Sequence, residues 1–501
     1  MAVRPRLPVA FAVLVLAASC LAVVRADLTP ADVYLNAGDA LARDWRYRDA
    51  LVAYVAAERV AAGPHRLRAG LGIAASAVRL AEFDLAYTKA LQLRQEYPED
   101  LQALAVYGQA AWAAGLFSEA EDAFRQVLAR NQADLASRLG MARVLAARNH
   151  LTEALDDVLA VIAAAPREAD AYYVAASIYR RTRQLDQAVA CLTKYYALLP
   201  ERELDRRTWT QGEMVFLRSF RRRVPGEIDA ASLMRVHSIP FRLANDKVIV
   251  TARVNGGEQV EFVVDTGAEQ TVISERAAQR LGIAPISRTI SAGVGDVGLR
   301  GLLNAQIDSL EIGSLKVRNV PCLIKTPPLQ DLPVRESESF SPLSLGLSAV
   351  IDYKRKQLLL ARSLDAERHD IEMPLWFSRL ASVRGVVNGS RPATFIVDTG
   401  GEVVSISLDT ARALSPQPPG RRIPLLVFGT SGWDREAFLM PGVNLDFDAV
   451  ALKDASIVVL NLRAPSLLLG YRVGGTVGHH LLSKYRVTID LGRAILGLST
   501  N

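Results

Sequence analysis

The chain has 501 residues, half of them hydrophobic and 22% charged, an ordinary globular composition at a length that calls for more than one domain. Its 59 basic and 53 acidic residues leave a formal charge of +6, too small a surplus to argue for nucleic acid although the pI is near 9.2. The three cysteines imply no disulfide framework: Cys20 falls in the N-terminal apolar run, and Cys191 and Cys322 fall in different predicted domains.

Residues 1–26 come first. Arg4 and Arg6 precede an apolar run from Leu7 to Val24, and Val24-Arg25-Ala26 offers small or apolar residues at the cleavage positions, as in a secretory signal. The run also approaches the length of a spanning helix, which fits an N-terminal membrane anchor. Leu16-Ala17-Ala18-Ser19-Cys20 resembles a bacterial lipobox, with a poorly matching alanine at the third place before the cysteine, which would put a lipid on Cys20. All three readings predict export, to the periplasm or to a membrane face looking into it. Cleavage would take Arg4, Arg6 and Arg25 away and lower the charge from +6 to +3.

Residues 29–202 carry a regular period. Ala86, Ala120, Ala154 and Ala188 recur at every 34th position, Pro98, Pro166 and Pro200 sit on a parallel grid, and Gln132 stands where another proline would fall. Ala50 and the Gly63-Pro64 turn mark a preceding unit of slightly different length. Apolar residues between these marks recur at helical spacing, with Gly115 and Asn149 in the turns. A 34-residue period of paired helices resembles the tetratricopeptide repeat, with Tyr107-Gly108, Ala120 and Phe124 the best-matching positions and about five units in all. The resemblance implies an all-α solenoid whose concave face holds an extended peptide or a partner protein. A plain helical spacer or a dimerisation arm is the competing reading.

Residues 203–235 form a linker. Trp209 to Phe220 reads as one more amphipathic helix that caps the solenoid, followed by Arg221-Arg222-Arg223 and the break Val224-Pro225-Gly226. The arginine run fits a solvated helix C-terminus. No aromatic platform accompanies it, so no nucleic-acid partner is expected.

The rest of the chain is written twice. Phe262-Val263-Val264-Asp265-Thr266-Gly267 returns as Phe395-Ile396-Val397-Asp398-Thr399-Gly400, and at the same offset Val254-Asn255-Gly256 returns as Val387-Asn388-Gly389 and Ile273-Ser274 as Ile406-Ser407. Each Asn-Gly signals a hairpin, and each apolar, β-branched run after it predicts a buried strand that delivers an aspartate to its mouth. One such aspartate fits an Asx turn capping itself. Two in a matched frame argue for duplicated halves, 236–362 and 363–501.

At these residues the sequence resembles the retropepsin-like aspartic proteases, over roughly residues 236 to 501. The resemblance implies a mainly-β bilobal domain pair in which Asp265 and Asp398 form one catalytic dyad sharing a proton. Thr266 and Thr399 would cross-link the two loops, and Gly267 and Gly400 would let them approach closely. No metal or organic cofactor is implied, and the adjacent His479-His480 has no third ligand nearby in sequence. The family's apolar-apolar-Gly element is assigned to Ser344-Leu345-Gly346 and Thr476-Val477-Gly478, ahead of closing strands at Val350 to Tyr353 and Val487 to Asp490. On that assignment the first half lacks the short helix that His479 to Lys484 would form. Flap hairpins are placed at Ser291 to Gly295 and Phe428 to Gly432, with Gly293, Gly295, Gly429 and Gly432 as hinge-permitting glycines. Thr326 to Pro342 reads as an irregular loop.

Departures from the family pattern are Gly401 opposite Ala268, and Glu269 and Glu402 where smaller polar residues are usual. The expected protein is an exported aspartic endopeptidase whose repeats recruit substrate or a partner. Two alternatives stand beside it: a non-catalytic peptide-binding scaffold with a degenerate protease fold, and a site assembled from halves of two chains.

Overall fold

The computed structural model of the chain describes residues 29–294, 299–325, 338–414, 423–429 and 432–500. The N-terminal run with Cys20, the flap glycine Gly295 and residues 326–337 of the expected irregular loop lie outside them. The chain divides into two compact units, one ending at Val106 and one beginning at Tyr107. Among the described residues no helix is long and apolar enough to cross a membrane.

The first unit holds helices α1 (Pro30–Arg43), α2 (Tyr47–Val60), α3 (Pro64–Arg79) and α4 (Phe83–Glu96). Thr29 starts α1 with a capping box: its hydroxyl accepts the Asp32 N–H at 3.2 Å, and the Asp32 carboxylate accepts the Thr29 N–H at 3.0 Å. Such a cap contributes about 1 kcal/mol. The Tyr54 ring lies against Gly38 and Gly72 so closely that a Cβ on either would sit 2.6 or 2.5 Å from it.

Helix α5 (Leu101–Ala113) spans the division, and α6 (Phe117–Arg130), α7 (Leu135–Ala147), α8 (Leu151–Ala164), α9 (Ala169–Arg181), α10 (Leu185–Leu198) and α11 (Leu204–Ser219) follow in the second unit. The grid alanines Ala86, Ala120, Ala154 and Ala188 are all fully buried, so the period marks where helices meet closely. A second grid lies in the turns. Ala81, Gly115, Asn149 and Arg183 all take positive φ, at 55°, 78°, 64° and 64°. Glycine and asparagine tolerate that region and were legible as turn residues. Ala81 and Arg183 adopt it against their preference, because the repeat backbone imposes it.

After a short joint the chain builds two closed β barrels. In the first lobe come β1 (His237–Pro240), β2 (Lys247–Val254), β3 (Gln259–Val264), β4 (Thr271–Ser274), β5 (Pro285–Ala292), β6 (Leu299–Ile312), β7 (Leu315–Lys325), β8 (Glu338–Phe340), β9 (Ser348–Asp352) and β10 (Gln357–Ala361). The ring runs β7-β4-β8-β3-β2-β6 and closes through β6 and β7. In the second lobe come β11 (Ile371–Pro374), β12 (Leu380–Val387), β13 (Arg391–Val397), β14 (Ser405–Ser407), β15 (Val427–Gly429), β16 (Gly432–Asp434), β17 (Phe438–Phe447), β18 (Val450–Leu460), β19 (Gly475–Val477), β20 (Tyr485–Asp490) and β21 (Ile495–Thr500). Its ring, β12-β13-β19-β14-β18-β17, closes through β17 and β12 and repeats the first in the same topological order. The expected closing strands β9 and β20 pair antiparallel, Val350 opposite Thr488, at the centre of a sheet β11-β21-β20-β9-β10-β1 shared by both lobes.

One sequence assignment is corrected. In the second half β19 pairs parallel with β13, Val477 opposite Val397, as the motif implied. In the first half the equivalent strand is β8, with Phe340 opposite Val264, and not Ser344-Leu345-Gly346. Ser341 therefore stands where the second half has Gly478. The first half also has a helical turn at the equivalent place, the 3-10 helix Leu343–Leu345 opposite His479–Leu482. The motif was hidden because Ser341 replaces the glycine and puts its hydroxyl to use, donating to Ala268 O at 2.6 Å.

Helices of the second unit pack on both barrels. Arg472 N–H donates to Ala113 O at 2.8 Å. The Phe117 ring lies 5.3 Å from Trp376 and 5.0 Å from Tyr471, and the Arg148 guanidinium stacks 3.9 Å over Trp376. On the first lobe, Gly212 of α11 meets β5 so closely that a Cβ would sit 2.0 Å from Arg288 O.

Candidate active site

The strands β3 and β13 end in three and five consecutive buried residues, and this anchorage brings Asp265 and Asp398 to the barrel mouths. Their backbone N–H groups donate to Phe340 O at 2.9 Å and Val477 O at 3.0 Å, continuing the parallel pairing one step past the strand ends. Each aspartate is thereby fixed by two strands at once.

The two loops are tied across the pseudo-twofold by four hydrogen bonds. Thr266 N–H donates to Thr399 Oγ1 at 3.1 Å, and the Thr266 hydroxyl donates to Val397 O at 2.6 Å. The reciprocal pair is Thr399 N–H to Thr266 Oγ1 at 3.1 Å and the Thr399 hydroxyl to Val264 O at 2.7 Å. Both threonines are buried, so every one of these groups is satisfied only by the other half. Gly267 and Gly400 make the approach sterically feasible, since a Cβ on either would lie 2.6 Å from the opposite aspartate Cγ.

The carboxyl groups of Asp265 and Asp398 face one another across the pseudo-twofold, close enough to share a hydrogen bond. Asp265 Oδ1 also accepts Gly267 N–H at 2.9 Å, while Asp398 Oδ1 accepts Gly400 N–H at 3.0 Å and Gly401 N–H at 2.9 Å. Burial raises the proton affinity of both. Asp265 is pushed up to about 7, by burial first and the Asp398 charge second. Asp398 is also raised by burial, against the opposing N–H groups of Gly401 and Gly400. The Lys247 ammonium pulls both downward. A pair held this way keeps one proton between two carboxyls over a broad pH range.

Two hairpins stand at the expected flap positions. Strands β5 and β6 pair to Ala292 opposite Leu299, with Gly293 and Val294 in the turn. Strands β15 and β16 pair with Gly429 opposite Gly432. A Cβ on Gly429 would lie 2.2 Å from Val294 O, so the two hairpins come into contact at these residues.

A cavity of about 280 Å³ opens beside Asp265, lined by Gly267 to Gln270, by Gly400 and by Thr289 to Ala292 of β5. Glu269, flagged in the sequence as a departure, pairs here with Arg379 of the second lobe at 2.6 Å, and Arg379 also donates to Leu468 O at 2.7 Å. Several lining residues were not legible in the sequence. Lys247 had no motif around it. Tyr173 and Arg180 come from α9, assigned in the sequence to the repeats, and Trp209 and Glu213 from α11, assigned to the linker's capping helix. His479 and His480 face Asp246 at 4.0 and 3.6 Å, and among the described residues no group of three or more His, Cys, Asp or Glu side chains gathers as a metal site.

Residues 250–333, which include the first aspartate loop, match the family model described as gag-polyprotein putative aspartyl protease. No curated protein matches the chain. Among solved structures, an aspartic proteinase from Irpex lacteus is similar at 12% identity, covering 53% of this chain and 98% of its own, with a TM-score of 0.34. A tetratricopeptide repeat protein from Parabacteroides merdae is similar at 20% identity over 40% of this chain and 77% of its own, TM-score 0.30. A thermophilic tetratricopeptide repeat protein of Thermus thermophilus is similar at 19% identity over 36% and 97%, TM-score 0.31. The chain is an array of paired helices joined to a two-lobed β region of duplicated topology, and the match to the aspartyl protease family model lies on its first lobe.

Proposed function

We propose that the protein is an aspartic endopeptidase that hydrolyses peptide bonds with water held by Asp265 and Asp398 of one chain. The observation that carries the reading is the reciprocal crossing of the Thr266 and Thr399 loops, which brings the two carboxyls together in one cleft, where they can share a proton. The ionised member takes a proton from water as it attacks the scissile carbonyl, and the protonated member donates to the carbonyl oxygen. Proton ownership then alternates through collapse to the amine and acid products. The two hairpins, in contact at Val294 and Gly429, close over the substrate and exclude bulk water.

In the same proposal the N-terminal run directs export and leaves the protein in the periplasm, free or attached to the membrane, and the helical repeats present peptide or protein to the β lobes. The test is cleavage of a broad peptide library by the full chain at acidic pH. Cleavage lost in Asp265→Asn and in Asp398→Asn, and blocked by a statine-type inhibitor, supports it. A folded wild type that cleaves nothing overturns it in favour of a binding scaffold.

A further inference from the structure

The helical array reaches into the catalytic cleft. Tyr173, Ala176, Ser177 and Arg180 of α9 and Trp209 and Glu213 of α11 line the same cavity as Asp265 and Gly267 to Gln270. Sequence alone assigns α9 to the recruiting repeats and α11 to a cap on them. Here they stand within the site, on the side of the dyad where Glu269 and Gln270 lie.

The wall is rigid. Arg180 Nη1 donates to Glu213 Oε1 at 2.9 Å, tying α9 to α11 through a carboxylate whose side chain is 5% exposed. Gly212 seats α11 directly on Arg288 O of the first flap's strand. Beside it, at the C-terminal end of α9, the Arg181 guanidinium lies 5.1 Å over the Phe377 ring, and Arg183 just beyond the helix donates to Leu345 O at 3.4 Å. This wall does not need to assemble around a ligand.

Its surface is chemically distinct from the loops around the dyad. Tyr173 and Trp209, both half-buried, stand with ring centroids 5.7 Å apart, and Ala176, Leu192 and Leu217 continue the apolar floor. Among the described residues Arg180 donates only to Glu213, so its remaining N–H groups are free to meet an acceptor in the cavity. Gln270 Oε1 is buried without a hydrogen-bond partner in the same cavity and can accept an N–H. An aromatic floor with one donor and one acceptor at its rim fits a bulky apolar side chain with its own peptide groups hydrogen-bonded beside it.

We propose that Tyr173, Trp209 and Arg180 form a subsite of the protease cleft, supplied by the repeat helices, that selects a large apolar residue, aromatic before aliphatic, on one side of the scissile bond. The proposal rests on the hydrolytic reading above. It makes the repeats part of the specificity apparatus and not only a tether.

The experiment profiles cleavage of a randomised peptide library by the full-length protein and by three variants that enlarge, retain or fill the cavity. Trp209→Ala removes the floor and is expected to lower the preference for Phe or Leu over Ala at one fixed subsite by at least tenfold in kcat/KM, while Trp209→Phe retains it. Ser177→Phe fills the cavity from the α9 side and is expected to invert that preference toward small residues. Preferences at the other subsites stay as in the wild type. A folded Trp209→Ala or Ser177→Phe with the wild-type profile at every subsite overturns the subsite and leaves the protease reading intact. A wild type that cleaves no peptide refutes the hydrolytic reading, and the subsite with it.

Discussion

Replacing Asp265 by asparagine is expected to stabilise the protein at pH 8 and to leave it almost unchanged at pH 3.5. Asp265 is raised from its ordinary 3.8 to about 7, chiefly by burial and next by the Asp398 charge. Each tenfold change in proton affinity is about 1.4 kcal/mol, so the ionised form costs the fold about 4 kcal/mol. One face of the carboxyl is open to the cleft, where water screens part of this, and we take about 2–4 kcal/mol. The sign follows from linkage. An acid with a raised folded pKa contributes fully below pH 3.8, loses that contribution as pH rises, and has lost all of it above about pH 7. Asparagine never ionises, keeps the Oδ1 acceptor for Gly267 N–H, and offers an N–H to Asp398 where the shared proton was. Thermal unfolding of wild type and Asp265→Asn at both pH values reads the difference directly. A gain of equal size at pH 3.5 and pH 8, or a loss at pH 8, refutes the account of the dyad as a buried, mutually repelling pair.

Three further outcomes are expected. Thr266→Val deletes the hydroxyl that donates to Val397 O and accepts Thr399 N–H, leaving two buried backbone groups unpaired; it should cost about 2–5 kcal/mol in chemical denaturation and abolish cleavage, while Thr266→Ser restores both. Lys247→Met removes a charge that holds both carboxyls down, so both limbs of the pH–rate profile should move to higher pH, more at low than at high ionic strength. Ala81→Gly relieves a β-carbon from positive φ and should raise stability by about 0.5–1 kcal/mol in a melting experiment, a gain absent at Ala86, which lies within α4.

Much of this architecture is legible in the sequence because two periods are strong. The buried alanines at 34-residue steps report helix contacts directly, and the repeated Asp-Thr-Gly frame reports a strand end and a tight turn twice over. The strand β8 was missed where a single residue, Ser341, replaced the glycine that marks its partner β19, and where Leu343–Leu345 coils too briefly to show a helical period. The cavity wall was missed for a different reason. Tyr173, Arg180 and Trp209 occupy ordinary helical positions, and their role comes from long-range packing, with Gly212 on Arg288 O and Phe117 on Trp376, which no local pattern encodes. Lys247 is likewise one lysine at a strand start until the fold sets it beside the dyad.

The central claim is that one proton is shared by two carboxyls of a single chain. It is tested most directly by the pH dependence of kcat/KM for a cleaved peptide, measured with wild type, each Asp→Asn variant, and an equal mixture of the two variants. The account gives a bell-shaped profile whose alkaline limb falls near pH 7, no cleavage by either variant, and no recovery in the mixture. Cleavage by either variant alone, or activity regained on mixing, contradicts it.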